Sequence, residues 1–268
     1  MERTGRHPRS PEAEHFVTTR MVVKIGTSTI TGGKRQPDMD FMRDIARQSA
    51  VLISSGIGVA IVSSGAVALG KDEQTNGESI LEKQASALYG QPRLIANWLS
   101  AFEANGIEHV GQALYTDADF ESHPNNIKEV LLKGLRRGPV IINYNDAVAD
   151  IEMRKVDRSV DNDALAGKVA QLIDADLLIL TDVDGVMDGG ERIAYVQNLQ
   201  DIADLLHKGG TGTGGAQSKC DEAKKAADLG KISVIANGRA KDVILKVARG
   251  ESVGTRFYAD PKWMFPSG

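Results

Sequence analysis

The chain has one cysteine in 268 residues, Cys220. That excludes an intramolecular disulfide and any zinc site built on cysteines. Its surroundings predict a helix, where a lone thiol is a small packing residue rather than a nucleophile. No apolar run approaches the ~20 residues needed to span a bilayer. The N-terminus lacks the apolar core of a secretion signal. Positive charge is not in excess, with 32 Lys and Arg against 36 Asp and Glu, so a dedicated nucleic-acid face is not expected. The five histidines show no metal-ligand spacing, and no metal-binding residues are assigned. No Walker A sequence is present, which excludes a P-loop kinase. These absences leave a cytoplasmic protein that handles small molecules, with no membrane and no nucleic acid as partner.

What is present is ordinary globular composition, 41% hydrophobic and 25% charged, on a chain long enough to bury a large core. Residues 1–20 are rich in Arg, Glu, His and Pro and have no apolar period. They read as a disordered extension or tag remnant. Residues 21–268 read as a single domain in which strands and helices alternate. Strands are predicted over 21–27, 58–63, 109–115, 140–143, 177–181 and 232–236. Helices are predicted over 40–55, 80–105 with a break near Gly90-Gln91-Pro92, 125–137, 164–175, 199–207, 218–229 and 241–248. Several strands are apolar throughout, which fits a parallel sheet covered on both faces. The fold class is therefore α/β, doubly wound, with ligands expected at the carboxyl ends of the strands.

Two lysines stand out. Lys24 is a charge inside the apolar strand Val22-Val23-Lys24-Ile25, just before Gly26-Thr27-Ser28. Inward-facing lysines are rare unless paired or functional, and the bland reading is an exposed edge strand. Lys219 follows the run Gly212-Thr213-Gly214-Gly215-Ala216-Gln217-Ser218. The glycines at 210–215 formally match G-x-G-x-x-G, but the preceding segment reads as helix, so a dinucleotide fingerprint is rejected. A loop that cradles phosphates fits better, with a helix starting near Ser218 and Lys219 in its first turn. Ser63-Ser64-Gly65-Ala66 ends an apolar strand and offers bare amides, or merely a serine N-cap. Asp161-Asn162-Asp163 precedes a helix, where Asp163 either caps that helix or holds both lysines. Thr181-Asp182-Val183-Asp184-Gly185 follows the most apolar strand and suits a nucleotide-facing turn. Two cations, bare amides and a few carboxylates are the equipment of phosphoryl transfer, which is mostly positioning and charge stabilisation.

Together and in order, these motifs resemble glutamate 5-kinase, of the amino-acid kinase superfamily. The resemblance runs from Val22 to about Phe257. It also includes Thr31-Gly32-Gly33, Gly90-Gln91-Pro92-Arg93-Leu94, the stretch 141–148, Ala236-Asn237-Gly238 and Val253-Gly254-Thr255. It implies a three-layer α/β/α sandwich with a mostly parallel central sheet, an acceptor half over about 21–175 and an ATP half over about 176–268. It implies ATP and Mg²⁺, phosphorylation of the glutamate side-chain carboxylate, proline feedback and a homo-oligomer, dimer or tetramer. Carried onto this chain, Lys24, Lys219 and Asp163 are catalytic, with amides from Gly26 and Gly65. Ser64, Gly65, Ala66, Asp146, Asp161 and Asn162 hold the acceptor. Thr181, Asp182, Thr213, Gly214 and Gly215, with the two lysines, hold ATP. The chain departs from the family pattern at Tyr144, at Ala216, over 149–160 and after Phe120, and no RNA-binding-like C-terminal module is expected. A related kinase with another carboxylate, carbamate or phosphate acceptor, or a silent amino-acid sensor, stays open at this point.

Overall fold

The structure is a computed structural model and describes residues 16–34, 36–71, 79–148, 162–208 and 213–260. In chain order the elements are β1 (Arg20–Ile25), α1 (Thr27–Thr31), α2 (Met39–Ser54), β2 (Gly58–Ser63), α3 (Ala66–Gly70) and α4 (Ile80–Glu103). Then come β3 (Gly111–Tyr115), α5 (Asp117–Ser122), α6 (Pro124–Leu135), β4 (Val140–Tyr144), α7 (Asn162–Leu172) and β5 (Asp176–Thr181). Three short strands follow, β6 (Met187–Asp188), β7 (Glu191–Arg192) and β8 (Tyr195–Val196). A 3-10 turn (Leu199–Ile202) leads into α8 (Ala203–Lys208), α9 (Thr213–Asp228), β9 (Ser233–Asn237), α10 (Val243–Ala248) and β10 (Thr255–Phe257).

Eight strands form one sheet in the order β3-β4-β2-β1-β5-β9-β10-β8, parallel except where β10 runs against β9. The chain leaves β1 for β2 on one side and returns to β5 on the other. β1 thus lies at the point where the winding reverses, the usual place for a ligand crevice. The first four strands belong to residues up to 144 and the rest to residues from 176 onward, so the sheet divides between β1 and β5.

Successive side chains on a strand point to opposite faces. Met21, Val23 and Ile25 pack with Phe41, Ile45 and Leu52 of α2, Trp98 and Phe102 of α4 and Ile244 of α10. Val22 packs on the other face with Leu131 of α6, Leu165 and Val169 of α7 and Ala223 of α9. Each large side chain buried here contributes about 1.5–3 kcal/mol. Helices cover both faces, which makes the three-layer sandwich.

Some local expectations are corrected. α4 runs unbroken through Gly90-Gln91-Pro92. Gly90 is there for packing: a Cβ on it would lie 1.6 Å from the carbonyl oxygen of Ala66, and one on Gly70 would lie 1.7 Å from that of Ser86. α3 and α4 therefore cross backbone to backbone. Pro92 faces outward, where its missing N–H is tolerated. α9 begins at Thr213, five residues before the predicted start, and takes Gly214 and Gly215 into its first turn. Residues 16–20, expected in the extension, belong to the fold: the Val17 amide donates to Ala248 O at 2.9 Å and Thr18 is buried. The third strand starts at Gly111 rather than at 109. The short strands β6, β7, β8 and β10 were not predicted. The rest of the extension, residues 1–15, the altered stretch 149–160 and the C-terminal residues from 261 lie outside the described residues.

Candidate active site

Lys24 is not on an edge. β1 is central, and Lys24 pairs with Val62 on β2 and Ile179 on β5. The pleat turns it to the same face as Val22, toward α7. The residue is 5% exposed. Asp163, 2% exposed, sits in the first turn of α7, where the helix dipole favours a negative charge. Lys24 Nζ lies 2.6 Å from Asp163 Oδ1. Lys219 Nζ lies 2.9 Å from Asp163 Oδ2 and donates to Gly215 O at 3.1 Å. The pair of lysines separated by 195 positions in sequence thus meets on one carboxylate. Among the described residues, two ammonium groups thus face one carboxylate at the carboxyl edge of the sheet.

Lys219 is the seventh residue of α9, in its second turn rather than its first. Its conflict with the helix dipole is correspondingly weaker than the sequence suggested, because that effect fades beyond the first turn. Cys220 beside it faces the core, and burial pushes its thiol up to about 12. It stays protonated at neutral pH, in keeping with a packing role.

The turns after β1 and β2 bring their amides to the same edge. Gly26 precedes α1, and a Cβ on it would lie 3.8 Å from Lys24 Nζ. The Ser64 amide donates to Ile25 O at 3.0 Å, which ties the two turns together. Gly65, not Ser64, is the residue before α3, and its φ of 115° is one that a side chain would strain. Ala66 opens α3 and is buried. Trp98 Nε1 donates to Ser63 Oγ at 2.9 Å beneath the turn.

Beyond β4, the Asp146 amide donates to Tyr144 O at 2.8 Å in a tight turn. Tyr144 is buried, and its hydroxyl donates to Asp117 Oδ2 at 3.1 Å while Lys168 Nζ pairs with Asp117 Oδ1 at 2.5 Å. Asn162 opens α7 next to Asp163. Thr181 ends β5, and its carbonyl accepts from the Gly238 amide at 2.9 Å. Asp182 accepts from Thr29 Oγ1 of α1 at 2.8 Å. Thr213, Gly214 and Gly215 form the start of α9. Asp161 and Gly212, with the rest of the glycine loop, lie outside the described residues.

Three features escaped sequence reasoning. Thr29 links α1 to the end of β5 across 153 positions. Arg239 pairs with Asp38 at 2.8 Å and stacks over Phe41, pinning the end of β9 to the start of α2. The Tyr144–Asp117–Lys168 bridge joins β4, α5 and α7. Only Tyr144 had a sequence signal, as a departure from the family pattern.

Residues 19–236 match the amino acid kinase family. The chain is 40% identical to the glutamate 5-kinase of Shewanella oneidensis, covering 90% of this chain and 68% of that protein. It is 39% identical to the glutamate 5-kinase of Photobacterium profundum, over 88% of this chain and 66% of that one. It is 37% identical to that of Sodalis glossinidius, over 91% and 72%. The chain belongs to the amino acid kinase family and, within it, groups with the glutamate 5-kinases.

Proposed function

We propose that the chain transfers the γ-phosphoryl group of ATP to the side-chain carboxylate of L-glutamate, giving ADP and L-glutamyl 5-phosphate, the first step of proline biosynthesis, in the cytoplasm. The observation that carries the reading is Asp163 shared between Lys24 and Lys219. An aspartate that holds two cations in place can aim both at the charge of a migrating anion. The glutamate 5-kinase relatives supply the acceptor.

The acceptor carboxylate is already ionised at pH 7, so no general base is required. Its oxygen forms a bond to the γ-phosphorus. The bond from that phosphorus to the β–γ bridging oxygen breaks, and the electron pair leaves with ADP. Lys24 and Lys219 stabilise the charge that spreads over the transferred group, and Asp163 orients both. The amides of Gly26 and Gly65 donate to its oxygens. Ser64, Gly65, Ala66, Asn162 and Asp161 hold the glutamate, with Asp146 on its ammonium group. Thr181, Asp182, Thr213, Gly214 and Gly215 hold ATP, with both lysines at its phosphates.

Among the described residues, no three His, Cys, Asp or Glu side chains are grouped to hold a metal ion. The oxygens of Asp163 already face lysines. The residues therefore fit a Mg²⁺ carried on the nucleotide phosphates. Bound there, it would neutralise charge on the phosphates during transfer.

Hydroxylamine trapping tests the reading. With ATP, Mg²⁺ and L-glutamate a hydroxamate forms; with aspartate, N-acetylglutamate or no acceptor it does not. Folded, ATP-binding protein that yields no glutamate hydroxamate would overturn the assignment of the acceptor.

A further inference from the structure

Four members of Gly90-Gln91-Pro92-Arg93-Leu94 have visible tasks. Gly90 lets α4 touch the backbone of α3, and Pro92 faces outward. Arg93 donates to Leu69 O at 2.8 Å and closes the end of α3. Leu94 Cδ1 lies 3.9 Å from where a Cβ on Gly65 would stand. Gln91 is different. It is 8% exposed, and its buried Nε2 has no hydrogen-bond partner among the described residues. A buried amide donor left unmatched is costly, and a native protein keeps one for a reason.

Its place in the fold suggests the reason. Ala87, Gln91, Leu94 and Trp98 are spaced by four, three and four residues, so they share one buried face of α4. Trp98 on that face donates to Ser63, and Leu94 approaches Gly65. Gly90, beside Gln91, meets the Ala66 carbonyl. The row of side chains therefore runs along the turn, with Trp98 at Ser63 and Leu94 at Gly65, and Gln91 is the next member of the row, three residues before Leu94. A second orphan lies at this edge of the sheet: Asn162 Oδ1, next to Asp163, is buried without a partner. One is a donor and the other an acceptor. An amino-acid zwitterion carries the matching pair of groups, a carboxylate and an ammonium.

We propose that Gln91 is an acceptor-specifying residue whose Nε2–H donates to a carboxylate oxygen of the bound amino acid. The inference rests on the reading of the chain as an amino-acid carboxylate kinase. It adds a contact from α4 to those carried by the strand-end turns.

Gln91→Met keeps the length and apolar stem and removes the donor. The expected result is a glutamate KM raised about 10- to 100-fold, the usual loss for a hydrogen bond to a charged group. The KM for ATP stays within twofold, and Tm without ligand does not fall, because an unmatched donor has left the core. Gln91→Glu, which sets a carboxylate against a carboxylate, raises the glutamate KM further. An unchanged glutamate KM in Gln91→Met, or a lowered Tm with both KM values unchanged, overturns the proposal and makes the amide a structural group bridged by water. Wild-type protein gives a second readout that needs no variant to fold. The Gln91 side-chain amide signal in a ¹⁵N spectrum shifts when glutamate is added without ATP. If it shifts with none of glutamate, aspartate and N-acetylglutamate, Gln91 does not touch the acceptor. If it shifts but no glutamate hydroxamate forms, Gln91 stands and the substrate assignment falls.

Discussion

Lys24 and Lys219 reach the same carboxylate by different means. Lys24 is held by the pleat of a central strand, between two paired neighbours, and is almost wholly buried. Lys219 hangs from a helix whose first turn contains two glycines, and 23% of its side chain is exposed. One cation is part of the core; the other stands at the rim, on backbone that glycine makes easier to bend. The Lys24 side of the site is thus packed into the core, and the Lys219 side is open to solvent. From β3 across to β9 the strands of the sheet are five or six residues long, and only β10 and β8 at its far edge shrink to three and two.

The comparison is broken most completely at its shared member. Asp163→Ala removes the buried carboxylate that lies 2.6 Å from Lys24 Nζ and 2.9 Å from Lys219 Nζ. The expected cost is about 3–5 kcal/mol of stability, the usual result of removing one side of a buried pair. Turnover is lost with it, because neither cation is then aimed. Chemical denaturation and the hydroxamate assay read the two effects, and a variant of unchanged stability would refute the structural half of the account.

A smaller effect tests how the halves are joined. Thr29→Val keeps the shape and removes the hydrogen bond to Asp182. The expected loss is about 1–1.5 kcal/mol in stability, with a raised KM for ATP and an unchanged KM for glutamate. Equal changes in both KM values would mean that α1 does not distinguish the two substrates.

The smallest effect is set by pH. The Phe41 amide, which Asp38 accepts at the start of α2, holds the Asp38 carboxyl below its ordinary value of 3.8, and Arg239 acts in the same direction. A carboxyl with a lowered folded pKa stabilises fully above the unfolded value and loses that contribution as pH falls through the folded one. Asp38→Ala should therefore cost about 1 kcal/mol at pH 7, a typical N-cap loss, and progressively less below pH ~4. A mutational cost that grows on acidification would contradict the capping role.

Much of this was legible in the sequence, for identifiable reasons. A lysine inside an apolar strand is rare enough to stand out, and the strand's lack of alternation placed it in a sheet buried on both faces. Gly65 was readable because it follows an apolar strand and precedes a helix. The start of α9 was not, because helix propensity charges Gly214 and Gly215 about 1 kcal/mol each and so argues against a helix there. α4 was misread at Gly90 for a related reason. Glycine reads as a breaker in one dimension, but here it makes room for a crossing backbone. Strands of two residues, such as β8, carry no period to detect. Pairings such as Thr29 with Asp182 exist only once the sheet has brought β1 and β5 side by side.

The most direct test of the two-cation site is to compare Lys24→Met with Lys219→Met, measuring hydroxamate turnover and Tm on the same preparations. The account predicts that turnover falls by at least about a thousandfold in both, while Tm drops only for Lys24→Met, whose charge lies in the core. A Lys219→Met enzyme that turns over at the wild-type rate would contradict the account and leave Asp163 with a structural task alone.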